Sequence, residues 1–439
     1  MKPARASQAL RPPAFEYHDT SAGARATQLY CEAVALKDLG ARHGTPLYVY
    51  SLAMIRARMG AFARAFHSIP HTLCYSVKAN STLGILQLIA DKGAGFDVVS
   101  GGELHRVLRV CRTAARRVVF SGVGKTAAEM ELALRSGIML FNIESASELN
   151  LLSTTATRLK KRAAIAVRVN PDVSAKTHPY ISTGLHQHKF GVPIPEARTL
   201  YALAAKQPYL KVAGVSVHIG SQITDVGSFQ EALDRVAVFV RALRKQGHDI
   251  RYIDAGGGLG ISYEGMQASF QKQIAAYARA VLAPLRGLKL HLLLEPGRSI
   301  VGPAGVLLTR VLYRKTNNRK RFLIVDAAMN DLLRPSLYGA YHEIVPLGLA
   351  TSRPSPETEI TDVVGPICET GDFLARDRKL PLVNEGDLLA ILDVGAYGAV
   401  LGSNYNTRGR AAEVLVDGER TRMIRRRESL QDQMRMEIV

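Results

Sequence analysis

The chain has 439 residues, long enough for two or three domains and a large core. Its net charge of +19 comes from arginines scattered along the chain, with no dense basic block and no interleaved aromatics. That pattern reads as solvated surface with some attraction for anionic small molecules, and nucleic acid is not an expected partner. Cys31, Cys74, Cys111 and Cys368 form no CxxC pair and no metal spacing, which fits a reduced, cytoplasmic compartment. No apolar run reaches the length of a membrane span, so no membrane partner is expected.

In chain order, residues 1–24 are polar and basic and lack the apolar core of a signal peptide. They are expected to be a disordered tail. Residues 25–50 form an N-terminal segment with a strand at 47–51, expected to join a later β domain. A regular alternation then begins. Apolar, strand-like runs fall at 73–78, 96–100, 118–121, 140–144, 163–170, 212–218, 252–255 and 291–295, and helical patterns separate them. Strand–helix alternation implies parallel strands covered on both faces. Eight such units predict a closed (β/α)8 TIM barrel over 51–310, with a doubly wound open sheet as the alternative. The stretch 172–191 is polar and without helical period, and it is expected to be a lid. After Gly305 the pattern turns to period 2, with runs at 322–326, 359–364, 388–394 and 413–416. Asp417-Gly418 then signals a hairpin into 420–425. Residues 311–439 are therefore expected to be a β-sandwich or β-barrel-like domain.

Polar residues gather at the C-terminal ends of the eight runs: Lys78, Asp97, Ser121, Glu144, Arg168 with Asn170, His218, Asp254 and Glu295. A barrel of this kind builds its active site on that face. Lys78 ends the run Thr-Leu-Cys-Tyr-Ser-Val-Lys, where it is either a snorkelling surface residue or an amine that an apolar pocket frees for attack on a carbonyl. Gly256, Gly257 and Gly258 follow the seventh run, where glycine amides can approach a phosphate, with a tight βα turn as the alternative. Glu295-Pro296-Gly297-Arg298 ends the eighth. It offers a carboxylate for a basic ring nitrogen and a cation for an anion, and a purely structural Glu–Arg pair is the alternative. His218 shares the face, suited to stacking or proton handling. His186 and His188 have no acidic partner at ligand spacing, so no metal is expected. A lysine for a Schiff base, a carboxylate for a pyridine nitrogen and a phosphate cradle are the requirements of pyridoxal 5'-phosphate.

Motifs in order extend this reading. They are Tyr75–Asn80 (YSVKAN), Phe96–Glu103 (FDVVSGGE), His218–Gln222 (HIGSQ), Gly256–Gly258, Glu295–Arg298 (EPGR), Met329–Tyr338 (MNDLLRPSLY), Cys368–Asp372 (CETGD) and Gly395–Gly398 (GAYG). With them the chain resembles, from about Pro46 to Glu437, the diaminopimelate decarboxylases of the alanine-racemase-like class. The resemblance implies that Lys78 carries the cofactor, His218 stacks on its ring and Glu295 meets its nitrogen. It places Asp97 in the cofactor set and brings Ser221, Gly256, Gly257, Gly258, Gly297, Arg298 and Tyr397 to the phosphate. Arg298, Arg334, Tyr338, Glu369 and Tyr397 would contact substrate, and Cys368 would be the proton donor. It also implies a homodimer with Cys368 and Glu369 supplied across the interface, acting on meso-diaminopimelate to give L-lysine. The alternatives are an ornithine, arginine or carboxynorspermidine decarboxylase of the same fold, or a non-catalytic pyridoxal-binding homologue.

Overall fold

A computed structural model describes residues 14–19, 26–173, 189–264, 269–350 and 357–439. The histidines at 186 and 188 and most of the expected lid lie outside the described residues. The chain divides into two compact units, one formed by 59–261 with 269–299 and the other by the remainder.

The first unit is the barrel. Its strands are β1 (His71–Ser76), β2 (Gly95–Val98), β3 (Val118–Phe120), β4 (Leu140–Ile143), β5 (Ala163–Asn170), β6 (Leu210–Val217), β7 (Tyr252–Asp254) and β8 (His291–Leu294). Each pairs in parallel with the next. The pairing of Leu293 with Thr72 closes the ring of eight. The open-sheet alternative is thereby excluded. The runs read as strands because they are buried on both faces, as a parallel sheet under helices requires. Inside, Cys74, Val119, Leu140, Ala166, Ala213 and Leu293 form a packed plug. Helices follow the strands outside, and their starts are set by side chains. Ser100 accepts from the Glu103 amide. Thr126 and Glu129 form a reciprocal capping box at the start of Ala127–Ser136, and Glu129 also accepts from the Gly101 amide at 2.7 Å. That bond ties two successive helices together at the barrel's functional end.

The second unit is mostly sheet. Its spine is the strand Gly305–Asn317, which pairs with Leu47–Ser51, Lys320–Val325 and Leu388–Ile391. The segment Leu47–Ser51 thus pairs with this spine. The spine itself starts within the stretch assigned by sequence to the barrel, because its first residues, buried at Val306–Leu308, are as apolar as a barrel strand. The hairpin Ala412–Asp417 to Arg420–Arg425 forms with Gly418 at φ +63°. One expectation needs correcting. Phe15–Asp19, inside the stretch read as a tail, is a strand paired with Ala26–Cys31, anchored by fully buried Phe15 against Leu29 and Cys31. Among the described residues no helix is long and apolar enough to cross a membrane.

Candidate active site

β1 ends at Ser76 and the chain turns through a short 3-10 helix, Val77–Ala79, which sets Lys78 at the C-terminal mouth. Its Nζ lies 2.8 Å from Asp97 Oδ2 on β2; the lysine side chain is 36% exposed and the aspartate fully buried. The apolar pocket expected for this amine is therefore replaced by a carboxylate partner. Ser76 Oγ stands 3.0 Å from the same Asp97 oxygen and 2.9 Å from the Glu295 carbonyl oxygen, and its one proton serves one of them. Asp97 Oδ1 is buried with no hydrogen-bond partner, a polar atom poised for something beyond the protein.

Behind the mouth lies a buried polar relay. Asn142 Nδ2, on β4, donates to Asp254 Oδ2 at 2.6 Å, and Ser216 Oγ donates to the same oxygen at 3.1 Å. The Gly256 amide donates to Asp254 Oδ1 at 2.9 Å. Burial pushes the Asp254 carboxyl above its ordinary range, and the hydrogen bonds from Gly256 and Asn142 oppose that rise. Glu295, just past β8, has its carboxyl pushed well above the usual range by burial and by the charges of Asp254 and Asp97, with Lys78 opposing. Glu295 is the member of this pair that holds the proton, and Ser121 Oγ lies 3.3 Å from its Oε1.

His218, after β6, is half-buried. Burial and the positive charges of Arg168 and Lys78 hold its imidazole well below its ordinary pKa. Its Nδ1 accepts the Gly257 amide at 3.1 Å, so the single proton sits on Nε2. The glycine loop has a second explanation besides anion binding. A Cβ on Gly257 would stand 2.1 Å from the Glu295 carbonyl oxygen, and one on Gly258 would stand 2.4 Å from that of Gly220. Close approach of strand ends demands these glycines, and the amides of Gly256 and Gly257 are already spent on Asp254 and His218. Gly297 is likewise pressed against Ala79 and Ser76. Arg298, buried at the start of a short helix, donates to Ser221 Oγ at 3.3 Å.

The remaining predicted residues sit in the β unit. Cys368 is a free, exposed cysteine whose amide donates to Asn406 Oδ1 at 3.1 Å. Glu369 accepts from Tyr405 OH at 2.8 Å. Arg334 is buried and opens the helix Arg334–Tyr338, whose last residue, Tyr338, is half-buried. Tyr397 is half-buried with φ +56°. The structure thus brings Lys78, Asp97, His218, Glu295 and the glycine loop together in one unit, and Cys368 with Glu369 in the other.

Sequence reasoning passed over several residues. Asn142, Ser76 and Ser216 lie inside apolar runs, where a small polar residue gives no periodic signal. Glu144 was seen as one of the polar strand ends, but its job was not. It accepts from Gly122 N, Gly191 N and Arg168 at 2.9–3.1 Å, and so ties the end of β4 to the loop after β3, to β5 and to Gly191. His342, fully buried in the β unit, carries no motif at all.

Residues 52–302 match the family model described as the pyridoxal-dependent decarboxylase, pyridoxal binding domain. Across 418 residues the chain is 52% identical to the diaminopimelate decarboxylase of Pseudomonas aeruginosa, covering 95% of this chain and 97% of that one. The chain belongs to the diaminopimelate decarboxylases. Among solved members of the family, the Helicobacter pylori enzyme complexed with L-lysine is 44% identical with a TM-score of 0.86, covering 92% of this chain and 99% of that one. The diaminopimelate decarboxylase from M. jannaschii in co-complex with L-lysine is 36% identical with a TM-score of 0.89, covering 98% of both chains. The family's cofactor is pyridoxal phosphate, and the residues present fit it. The mouth of this decarboxylase offers a primary amine, a neutral imidazole, a buried carboxyl that holds a proton, an unmatched buried carboxylate oxygen and a guanidinium–hydroxyl pair for an anion.

Proposed function

We propose that this chain removes CO2 from meso-2,6-diaminopimelate and releases L-lysine, as the last step of lysine formation by the diaminopimelate route. The 52% identity over 95% of the chain to a protein of that name carries the reading, and the buried guanidinium of Arg334 supports the choice of a substrate with two carboxylates. Bound pyridoxal phosphate supplies an electron sink for the pair left behind by the departing carboxylate. The chain's own groups do the rest. Lys78 would hold the cofactor through its Nζ, with Asp97 as the proton and charge partner 2.8 Å away. Glu295, whose hold on a proton is raised by burial and by the charge of Asp254 behind it, would meet the ring nitrogen. Neutral His218 offers a flat face without adding charge to the sink. Ser221, Gly258 at the end of the glycine loop, Gly297, Arg298 and Tyr397 would take the phosphate.

Arg334, with Arg298 and Tyr338, grips the substrate carboxylates, since a planar guanidinium matches a carboxylate two-to-two. Glu369 meets the far ammonium, and Cys368 Sγ returns a proton to the carbon that lost CO2. Cys368 and Glu369 serve the site of a second copy, giving a homodimer with shared sites. The test is CO2 release from meso-diaminopimelate beside ornithine, arginine and carboxynorspermidine. Release from diaminopimelate alone is expected. Turnover of ornithine or arginine in its place would overturn the substrate assignment.

A further inference from the structure

Arg334 is 6% exposed, and its guanidinium is held from two sides. Its Cζ lies 4.7 Å over the Tyr263 ring, and Nη1 lies 2.6 Å from Nε2 of His342. His342 is fully buried, and its other nitrogen, Nδ1, is 2.8 Å from the Leu392 carbonyl oxygen. A carbonyl only accepts, so Nδ1 carries the proton and donates to it, and the Nε2 lone pair accepts from Arg334. The imidazole meets Tyr263 edge-on at 5.1 Å, and the His342 carbonyl accepts from Arg378 Nη1 at 2.8 Å. With both ring nitrogens, one ring edge and the backbone engaged, the imidazole has one orientation.

The choice of a neutral acceptor has a consequence for charge. An aspartate or glutamate in this place would orient Arg334 equally well and would also cancel its charge. Asp393, the carboxylate whose field reaches Arg334, is fully buried, is pushed up to about 7 by burial and is shared with Arg58. A histidine fixes the guanidinium without placing a negative charge beside it.

We infer that His342 is a positioning residue: as a neutral hydrogen-bond acceptor it aims Arg334 at the distal carboxylate of diaminopimelate and so sets the selectivity for ligands that carry that group. The inference rests on the role given above to Arg334. Equilibrium titrations of the pyridoxal phosphate-loaded enzyme with L-lysine and with 1,5-diaminopentane test it, because L-lysine keeps the distal carboxylate and the diamine lacks it. His342→Leu should weaken L-lysine binding roughly ten- to a hundredfold, the range for losing a hydrogen bond to a charged group, and leave the diamine within about twofold. His342→Gln, whose amide oxygen can take the same Nη1 proton, should recover most of the loss; general loosening of the fold would weaken both ligands alike. Arg334→Ala is measured in parallel. If it leaves the L-lysine to diamine ratio unchanged, the role of Arg334 itself is wrong. If Arg334→Ala shifts the ratio and His342→Leu does not, the His342 inference alone is overturned. Should His342→Leu fail to hold cofactor, His342→Gln and His342→Asn decide, since the shorter amide cannot reach Nη1. Equal ratios for these two would overturn the inference.

Discussion

Lys125 is the place where the barrel's polar interior can be tested by a single change. Its side chain is 0% exposed, and its Nζ lies 2.6 Å from Glu148 Oε1. It also lies 2.7 Å from the carbonyl oxygens of Gly122 and of Asn142. The three ammonium protons thus have three acceptors. Lys125→Met fills the space and leaves a carboxylate buried without its cation, at a cost of about 3–5 kcal/mol. Glu148 can escape part of that cost by taking up a proton. Its carboxyl already stands above the ordinary range, because burial outweighs the attraction of Lys125, and without the cation it moves further up. A carboxyl raised in the folded state contributes stability that is fully present below its unfolded pKa and is lost as pH rises through the folded value. The destabilisation of Lys125→Met should therefore be modest near pH 5.5 and larger by up to about 3 kcal/mol at pH 8.0, at about 1.4 kcal/mol per pH unit. Urea unfolding of the cofactor-free protein at the two pH values reads this directly. Adding Glu148→Gln removes the buried charge, keeps an acceptor for the Glu144 amide now 2.8 Å from Glu148, and should restore most of the loss at pH 8.0. A loss equal at both pH values, or a double variant no better than the single one, would refute the reasoning.

Other expectations follow from the mouth of the barrel. The purified enzyme should absorb in the visible, and borohydride should fix the cofactor on Lys78; label on another lysine would remove that residue from its role. Gly257→Ala, which forces a Cβ to 2.1 Å from the Glu295 carbonyl oxygen, should weaken pyridoxal phosphate binding roughly five- to 150-fold, the span of an overpacking strain of about 1–3 kcal/mol. Gly124→Ala, with nothing within 4 Å of the new atom, should leave cofactor binding as it is, and similar losses for both would contradict the packing argument. Inactive Lys78→Ala and Cys368→Ala chains, mixed and shown by mass to exchange, should recover roughly one quarter of wild-type activity if sites are shared in a two-fold dimer. A mixture that exchanges and stays inactive would place each site within one chain.

The barrel was legible because its strands are buried on both faces and its helices are not, so the eight apolar runs stand out between amphipathic stretches. The polar strand ends were legible for the same reason: Lys78, Asp97, His218 and Glu295 interrupt apolar sequence at one end of each run. The limit of that signal shows at the unit boundary. Gly305–Asn317 opens as apolar as a barrel strand, yet it pairs with Leu47–Ser51, a partner more than 250 residues away in sequence that no local pattern specifies. Phe15–Asp19 is short and polar on alternate positions, and its one buried aromatic is too little to mark a strand. In the site, Lys78 was found but its partner's effect was not: an apolar flank predicts desolvation, and only the fold shows Asp97 on the neighbouring strand. For the glycines of 256–258 the run of three favours anion binding over a turn, whereas packing against Glu295 and Gly220 already requires Gly257 and Gly258. His342 was invisible because its meaning lies in what its two nitrogens touch.

The central claim is that this chain replaces one carboxylate of meso-diaminopimelate by a proton and keeps the other. Turnover of meso-diaminopimelate in deuterium oxide tests it most directly. The account predicts L-lysine carrying one deuterium on its terminal carbon, C6, formed in step with CO2 by the wild-type enzyme and not by Lys78→Ala. Diaminopimelate returned without loss of CO2, or lysine formed equally well by Lys78→Ala, would contradict it.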